Sequence, residues 1–336
     1  MANLNTSTFS GIILTQYEKR LLARALPKLL YGRWVDRPTL KRNGTWSARK
    51  YGAVSANTTA LVEGSTPAES SAITYTSITI TPTFYGSYLV WTDIMPLEVY
   101  DEEISLATGF LGETAGLSAD TIMRDHIVAN GTIDYSGDQA ARTTLASPVH
   151  DISFVDLIKN LAALENEGAQ PADGDCFPVI CSPHTWATLM LDPVFVNMFV
   201  QEPGNTAIRT GYMGRLLNMR FYVTSNAKEY ADGGLGSTVD VYTATIIGRG
   251  SIAALGLAGY PDVDMNESAS DADLSGQQID PVRRPVEIIA KQPGSAGSLD
   301  PLNQRGSIGY KFVLTPKVVN SSWLRILEHT TVFSNE

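Results

Sequence analysis

AITYTSITITPTFYGSYLVWTD, residues Ala72 to Asp93, is dense in β-branched and aromatic residues and alternates with the period of a pleated strand. Ile78, Ile80 and Phe84 fall on one side of that alternation, and Thr79, Thr81 and Thr83 on the other. Upstream, PTLKRNGTWSARKY (Pro38 to Tyr51) holds Asn43-Gly44, a two-residue hairpin signal. Between these stretches, Leu61-Val62-Glu63-Gly64-Ser65-Thr66-Pro67 reads as a turn-rich loop. Arg37 to Thr92 is therefore expected to form two long extended arms with no helix between them. At roughly 3.3 Å per residue, arms of about 20 residues reach on the order of 60 Å. A compact domain of 336 residues has a radius of gyration of about 20 Å. An isolated ribbon is marginal in water, so this one folds back on the body or is held by other chains.

The charges divide the chain nearby. Ten of the 25 Lys and Arg residues lie between Lys19 and Lys50, and no other appears before Arg124. The window Tyr17 to Lys50 carries ten basic and two acidic residues, a net of +8. The next 73 residues, Tyr51 to Met123, carry nine acidic residues and no basic one, in a chain whose total is −10. Domains usually intersperse their signs. A split this sharp is either a solvated face or a stretch that meets the opposite stretch of another copy. An apolar fraction of 43% with 18% charged residues describes a folded chain. No run of about 18 apolar residues exists, so no membrane partner is expected. No basic region precedes the first apolar run, which excludes a secretory signal.

Around the arms, residues 1–16 read as a loose polar tail. Tyr17 to Tyr31 reads as a short basic amphipathic helix with an apolar stripe of Leu21, Leu22, Ala25 and Leu29, kinked at Pro27. After the arms comes a long helix. Asp93 is placed to cap it, Pro96 suits its first turn, and Glu98, Asp101, Glu102 and Glu103 suit its positive start. Ile104, Leu111, Ala115, Ser118 and Ile122 trace an apolar-to-small face, with Leu117 and Ile127 on its other edge, and Asn130-Gly131 is the stop. About 30 residues make a rod of about 45 Å.

From His150 onward helices and strands mix. Helices are expected at Phe154–Glu167, ended by Gly168, and at Pro183–Leu191, begun by Ser182. Strands are expected at Phe177–Cys181, Met219–Thr224, Val239–Ile247, Val286–Gln292 and Ile308–Leu314. Asp262 to Gln278 is an acidic, Ser-rich loop. The fold class is α+β.

Catalytic chemistry is sparse. His126, His150, His184 and His329 have no metal-ligand or relay spacing, and His126 reads as a surface residue. Cys176 and Cys181 read as buried thiols, since five residues along a strand place them on opposite faces. Gly248-Arg249-Gly250-Ser251-Ile252-Ala253 mimics a dinucleotide fingerprint without a surrounding βαβ unit. Asp262, Asp264 and Asn266 open like a calcium loop, but Glu267 stands where a Gly is required. Trp34, Trp46 and Tyr51 sit among the basic residues, an interleaving that suits base stacking or an arm anchored on a partner; the acidic balance of the chain favours the arm. No catalytic constellation, metal site or cofactor is expected.

The order of parts (basic arm, β excursion, long helix, mixed body, closing strands) resembles the major capsid protein of tailed bacteriophages, the Hong Kong 97-type fold. Local wording is similar to the capsid family typified by coliphage N-four. Leu61-Val62-Glu63-Gly64-Ser65-Thr66-Pro67 resembles its loop, and Tyr85-Gly86-Ser87-Tyr88 with Trp91-Thr92-Asp93 its strand-to-helix junction. Leu111-Gly112-Glu113 with Asp120 and Arg124 resembles its spine helix. Gly294-Ser295-Ala296-Gly297, Asp300 to Gly306 and Gly309-Tyr310-Lys311 resemble its closing segment.

The resemblance implies an N-terminal arm at 1–36, an extended β loop at 37–92 and a peripheral domain with the spine helix at 93–149. A mainly axial domain then spans 150–285, and closing strands at 286–336 return to the peripheral domain. It implies a non-enzymatic shell protein in the virion capsid, assembled in the bacterial cytoplasm as hexamers and pentamers around double-stranded DNA. Portal, scaffolding and decoration proteins and non-specific contact with packaged DNA are the partners it brings. The long N-terminal extension of some relatives is missing, which implies a separate scaffolding protein or none. Some relatives cross-link Lys to Asn; with no Lys in the arm after Lys50, only Lys41 and Lys50 at its base suit that chemistry. The expected inter-subunit contacts are Lys19, Arg20, Arg24, Lys28, Trp34 and Trp46 on the basic side, and Glu98, Asp101, Glu102 and Glu103 on the acidic side. An encapsulin-type compartment shell and a soluble α+β enzyme are the rival readings.

Overall fold

The computed structural model describes residues 30–40, 45–52, 73–93, 103–201, 215–257, 287–291 and 304–334, with isolated positions at 56, 58, 60, 63, 64 and 302. In chain order it begins with β1 (Thr39–Leu40), β2 (Trp46–Tyr51), β3 (Tyr75–Ile80) and β4 (Phe84–Thr92). Next come α1 (Glu103–Asn130), β5 (Thr132–Tyr135), α2 (Phe154–Asn166), β6 (Phe177–Cys181), α3 (Pro183–Leu191) and α4 (Pro193–Gln201). Then follow β7 (Arg215–Leu216), β8 (Met219–Val223), β9 (Glu229–Tyr230), β10 (Val241–Ile247) and β11 (Ile252–Leu257). The chain closes with β12 (Glu287–Lys291), β13 (Arg305–Val313), β14 (Thr315–Val318) and β15 (Leu324–His329).

The long excursion divides into two structures. β2 and β3 form an antiparallel ribbon, Trp46 opposite Ile80 and Tyr51 opposite Tyr75. β4 leaves the ribbon and becomes an outer strand of a sheet ordered β12-β13-β4. The alternation inferred from Ala72 onward holds through Ile80, which is buried while Thr79 is exposed, but Phe84 is exposed. The phase does not carry across Pro82, whose missing N–H interrupts the ladder.

The turn expected at Asn43-Gly44 lies outside the described residues; of the strands on its two sides, β1 pairs with β11 and β2 with β3. β1 runs parallel to β11, Thr39 opposite Gly256, and β11 also pairs with β14. The Asp36 N–H donates to the Ile252 carbonyl and the Ala254 N–H to the Asp36 carbonyl.

At 28 residues α1 is a rod of about 42 Å. Its buried stripe is Leu111, Ala115, Ala119, Met123 and Ile127, each four residues from the last. Ser118 and Ile122 lie at its margin and Leu117 is exposed, so the stripe is rotated from the expected one. The two alanines let β4, β13 and β14 approach closely. Trp91, Ile308, Tyr310, Phe312, Leu314, Tyr31 and Val35 complete this core.

A second core lies in the body. A sheet ordered β5-β15-β10-β6-β8-β7 has β10 and β6 buried along their whole length, as central strands should be. Phe154, Leu157, Leu161, Leu164 and Phe195 from the helices pack against Phe177, Val179, Phe221, Ala244 and Ile246. Capping set the helix starts: the Ser153 and Ser182 hydroxyls accept the N–H groups of Asp156 and Thr185, and Pro183 occupies the first turn of α3. Cys176 and Cys181 are buried and free, and burial pushes the Cys181 thiol up to about 12.

The Gly248–Ser251 segment is a turn, with Gly250 at φ 73°, and it leads into β11 rather than a helix. A helix N-terminus for phosphates is therefore missing at this site. The calcium-like stretch from Asp262 lies outside the described residues.

Candidate assembly surfaces

The β12-β13-β4 sheet has one covered face and one open face. Ile308, Tyr310 and Phe312 of β13 point toward α1, with Trp91 and Tyr85 of β4 beside them. Tyr85 and Tyr310 each stack on Phe312, at 5.9 Å between ring centroids. Gly306 lies opposite Trp91, and a Cβ at that position would collide with the indole. The glycine is required by the close approach of the ring. Strand alternation sends Phe84, Tyr88, Val90 and Ile289 to the other face. All four are exposed there, Tyr88 by 70%. The Lys311 ammonium sits 4.8 Å from the Phe84 ring centroid. Exposed apolar side chains gathered on one sheet face make a candidate surface for association.

The ribbon carries a second set of exposed aromatics. Tyr51 and Tyr75 face each other at 6.5 Å between centroids, and the Arg49 guanidinium lies 5.2 Å from the Tyr75 ring. Lys50 Nζ donates to Asn320 Oδ1 at 2.7 Å, which ties the ribbon to the body beside β14.

The base of the arm is anchored by Asp120. Its Oδ1 accepts the backbone N–H groups of Leu30 and Tyr31, each at 2.8 Å, and its Oδ2 accepts from Asn226 Nδ2 at 2.8 Å. Arg124 Nη1 donates to the Asn226 side chain and carbonyl, while Arg124 and Lys228 both donate to Asp125. Burial raises the Asp120 carboxyl above the usual range, opposed by the bonds from Asn226, Leu30 and Tyr31. Asp125 lies below that range: burial raises it, and the Arg124 and Lys228 bonds outweigh this. Among the described residues, the most buried carboxylate of the acidic stretch thus serves the arm of its own chain.

Of the expected contact residues, Lys19, Arg20, Arg24, Lys28, Glu98, Asp101 and Glu102 lie outside the described residues, and Glu103 opens α1. Trp34 is half-buried and packs on Tyr222 of its own chain, 4.7 Å between centroids, with the Arg33 guanidinium 5.7 Å from both rings. Trp46 is half-buried at the foot of the ribbon opposite Ile80. His126 is half-buried rather than on the surface, and burial with Lys317 nearby lowers its pKa. His329 is fully buried: its Nδ1 donates to the Thr330 carbonyl, so Nε2 accepts from Thr185 Oγ1 at 3.3 Å. Burial pulls it down to about 4.

The open sheet face and the Asp120 anchor were missed from sequence. A signal existed for each. Tyr88 and Val90 alternate with residues of the opposite face, and Asp120 is a carboxylate set between Ala119 and Ile122 in the long helix, while Asn226 carries no such mark.

No protein-family model matches the sequence, and no curated protein matches it. Solved structures do match. The capsid of Ralstonia phage GP4 aligns with a TM-score of 0.63 at 11% identity, covering 89% of this chain and 87% of that one. The capsid of cyanophage P-SCSP1u aligns at 0.59 and 11% identity, over 89% and 87% of the two chains. The cyanophage Pam1 capsid aligns at 0.57 and 13% identity, over 91% and 92%. Ribbon, long helix, three-stranded sheet and mixed body occur together in one frame, and the chain has the Hong Kong 97-type α+β fold of phage major capsid proteins.

Proposed function

We propose that this chain is a structural shell protein that self-assembles into the icosahedral head of a tailed phage and encloses double-stranded DNA. The observation that carries the reading is the match of the whole frame, about nine tenths of both chains, to several phage capsids. The open apolar sheet face and the ribbon support it, because neither has a purpose in an isolated chain. Many copies associate as hexamers and pentamers, in the virion, after assembly in the bacterial cytoplasm. The chain acts through its interfaces and catalyses nothing. Portal, scaffolding and decoration proteins are the further partners, and its contact with packaged DNA is non-specific.

In this reading 1–36 is the arm, 37–92 the extended loop, 93–149 and 286–336 the peripheral domain, and 150–285 mainly the axial domain. Pairing with β13 favours counting Phe84–Thr92 with the peripheral domain. The ribbon of one subunit lies over the open sheet face of the next. The basic arm of Lys19, Arg20, Arg24 and Lys28 reaches the acidic helix start of Glu98, Asp101, Glu102 and Glu103. Exposed ion pairs contribute about 0–1 kcal/mol each, so buried apolar side chains must supply most of the affinity. Negative-stain microscopy of the expressed protein tests the reading. Closed shells or capsomer sheets are expected; monomers alone under all assembly conditions overturn it.

A further inference from the structure

The outer strands of an open sheet carry spare N–H and C=O groups that can recruit another chain, and proteins guard such edges with charge, proline, bulges or brevity. Among the described residues most outer strands carry a guard. β12 is five residues bounded by Glu287 and Lys291, β14 holds Pro316 and Lys317, and β2 holds Arg49 and Lys50. β1 and β7 have two residues each, and β5 has four. β3 and β4 are uncharged and contain no proline. β4 is the longer at nine residues, and its register with β13 runs unbroken from Phe84 to Thr92, so no bulge interrupts it.

The spare groups of β4 can be assigned. The Thr83 carbonyl accepts from the Leu314 N–H, and the Asp93 N–H donates to the Gln304 carbonyl. Bonded pairs alternate along an antiparallel ladder, so Tyr85, Ser87, Leu89 and Trp91 bond to β13. Gly86, Tyr88 and Val90 therefore turn their N–H and C=O groups outward. Among the described residues β13 is the one strand that pairs with β4, and Gly86 through Val90 are all exposed. The edge is long, apolar and open.

We propose that β4 pairs antiparallel with β4 of a second copy, across a two-fold axis at Tyr88, and so joins two three-stranded sheets into one. The second copy rests on the shell reading, since neighbouring capsomers of a closed icosahedral shell meet at two-fold axes. The strand fits itself. With Tyr88 on the axis, every outward residue meets an outward residue: Gly86 opposes Val90 of the second copy, and Tyr88 opposes its own equivalent. The missing side chain of Gly86 leaves room for Val90, and the two tyrosines make an aromatic cross-strand pair. An uncharged strand of this kind brings no charge into the junction. Tyr88 and Val90 of both copies then lie on one continuous open face.

Paired cysteines test the register. Ser87 and Leu89 oppose one another across this axis as a pair without hydrogen bonds, their Cα atoms about 4.5 Å apart and within disulfide range. Both are exposed, while the native Cys176 and Cys181 are buried. Oxidised particles of Ser87→Cys/Leu89→Cys should run mostly at doubled mass on a gel without reductant. Ser87→Cys alone should not, because its thiols then face each other diagonally, at about 7–8 Å. Adding Val90→Pro to the double variant removes an outward N–H that β13 does not use, and should cut the doubled band by about tenfold. Particles in which the double variant stays at single mass overturn the pairing and leave the shell reading standing. A doubled band as strong from Ser87→Cys alone, or undiminished by Val90→Pro, overturns the pairing as well. A doubled band from chains that never form particles supports the pairing and overturns the shell reading instead.

Discussion

Asp120 receives the N–H of Tyr31, 89 residues earlier in the chain, at 2.8 Å and fully buried. The same oxygen holds the Leu30 N–H, so one carboxylate sets where the arm leaves the long helix. Asp120→Ala strands both amides and the Asn226 donor, each worth about 1–3 kcal/mol when buried unpaired. A loss on the order of 3–5 kcal/mol is expected in urea unfolding. Asp120→Asn keeps the acceptor for Leu30 and Tyr31 but sets its own amide against the Asn226 Nδ2 donor, and should lose less than the alanine. Equal midpoints for wild type and Asp120→Ala would remove the anchor from the account.

Arg142 meets Glu328 through two bonds, Nε to Oε2 at 2.7 Å and Nη2 to Oε1 at 2.6 Å, with the carboxylate fully buried. The guanidinium also lies 3.5 Å from the Tyr230 ring centroid. Arg142→Ala leaves a buried charge uncompensated and should cost about 3–5 kcal/mol. Arg142→Met/Glu328→Leu removes both charges and should recover most of that loss. Thermal unfolding of the two variants side by side decides it; a double variant no more stable than Arg142→Ala would refute the coupling.

Acid should weaken the body of the fold through His329. Its folded value of about 4 lies below the ordinary 6.5 because burial disfavours the imidazolium. Above pH 6.5 the ring is neutral in both states and contributes no slope. Between pH 6.5 and about 4 only the unfolded chain takes the proton, so stability falls, by on the order of 3 kcal/mol in total. Below that the term is flat. His329→Gln should flatten this window in denaturant titrations at successive pH values, and an unchanged slope would assign the acid sensitivity elsewhere.

Local signals were the legible part. Ser182 marked a helix start that the structure keeps, and Gly168, at φ 69°, marked a helix end. These depend on a few neighbouring residues. Partners across hundreds of residues were not legible: β1 sought β11, and β4 sought β13, where Tyr88 meets Gly309. The motif words Tyr85-Gly86-Ser87-Tyr88 and Gly309-Tyr310-Lys311 turn out to be strands in register, yet neither word names the other. The same gap hid the open sheet face. A strand's pattern tells that two faces differ, while which of them is covered depends on where α1 lies.

That open face gives a test of association without loss of fold. Val90→Asp and Tyr88→Ser sit at exposed positions, where substitutions usually change stability by less than about 0.5 kcal/mol. Sedimentation should show particles replaced by free chains or small oligomers, with the unfolding midpoint nearly unchanged. A folded variant that still forms particles at full yield would move the interface off this sheet.

The charge split should act at assembly and not at folding. Among the described basic residues, Arg33, Arg49 and Lys50 contact groups of their own chain, so the basic window is tested through its N-terminal half, Lys19 to Lys28. Arg20→Glu/Arg24→Glu/Lys28→Glu reverses that half. If it meets the Glu98 to Glu103 cluster of a neighbour, shell yield falls while the unfolding midpoint holds. Raising salt should then mimic the reversal in the wild type, since exposed pairs are screened over about 8 Å at physiological ionic strength. Reversal of Glu98, Asp101, Glu102 and Glu103 to Lys in the same chain should restore yield in part. A triple variant that assembles as well as the wild type at low salt would show that the arm binds by its apolar stripe alone.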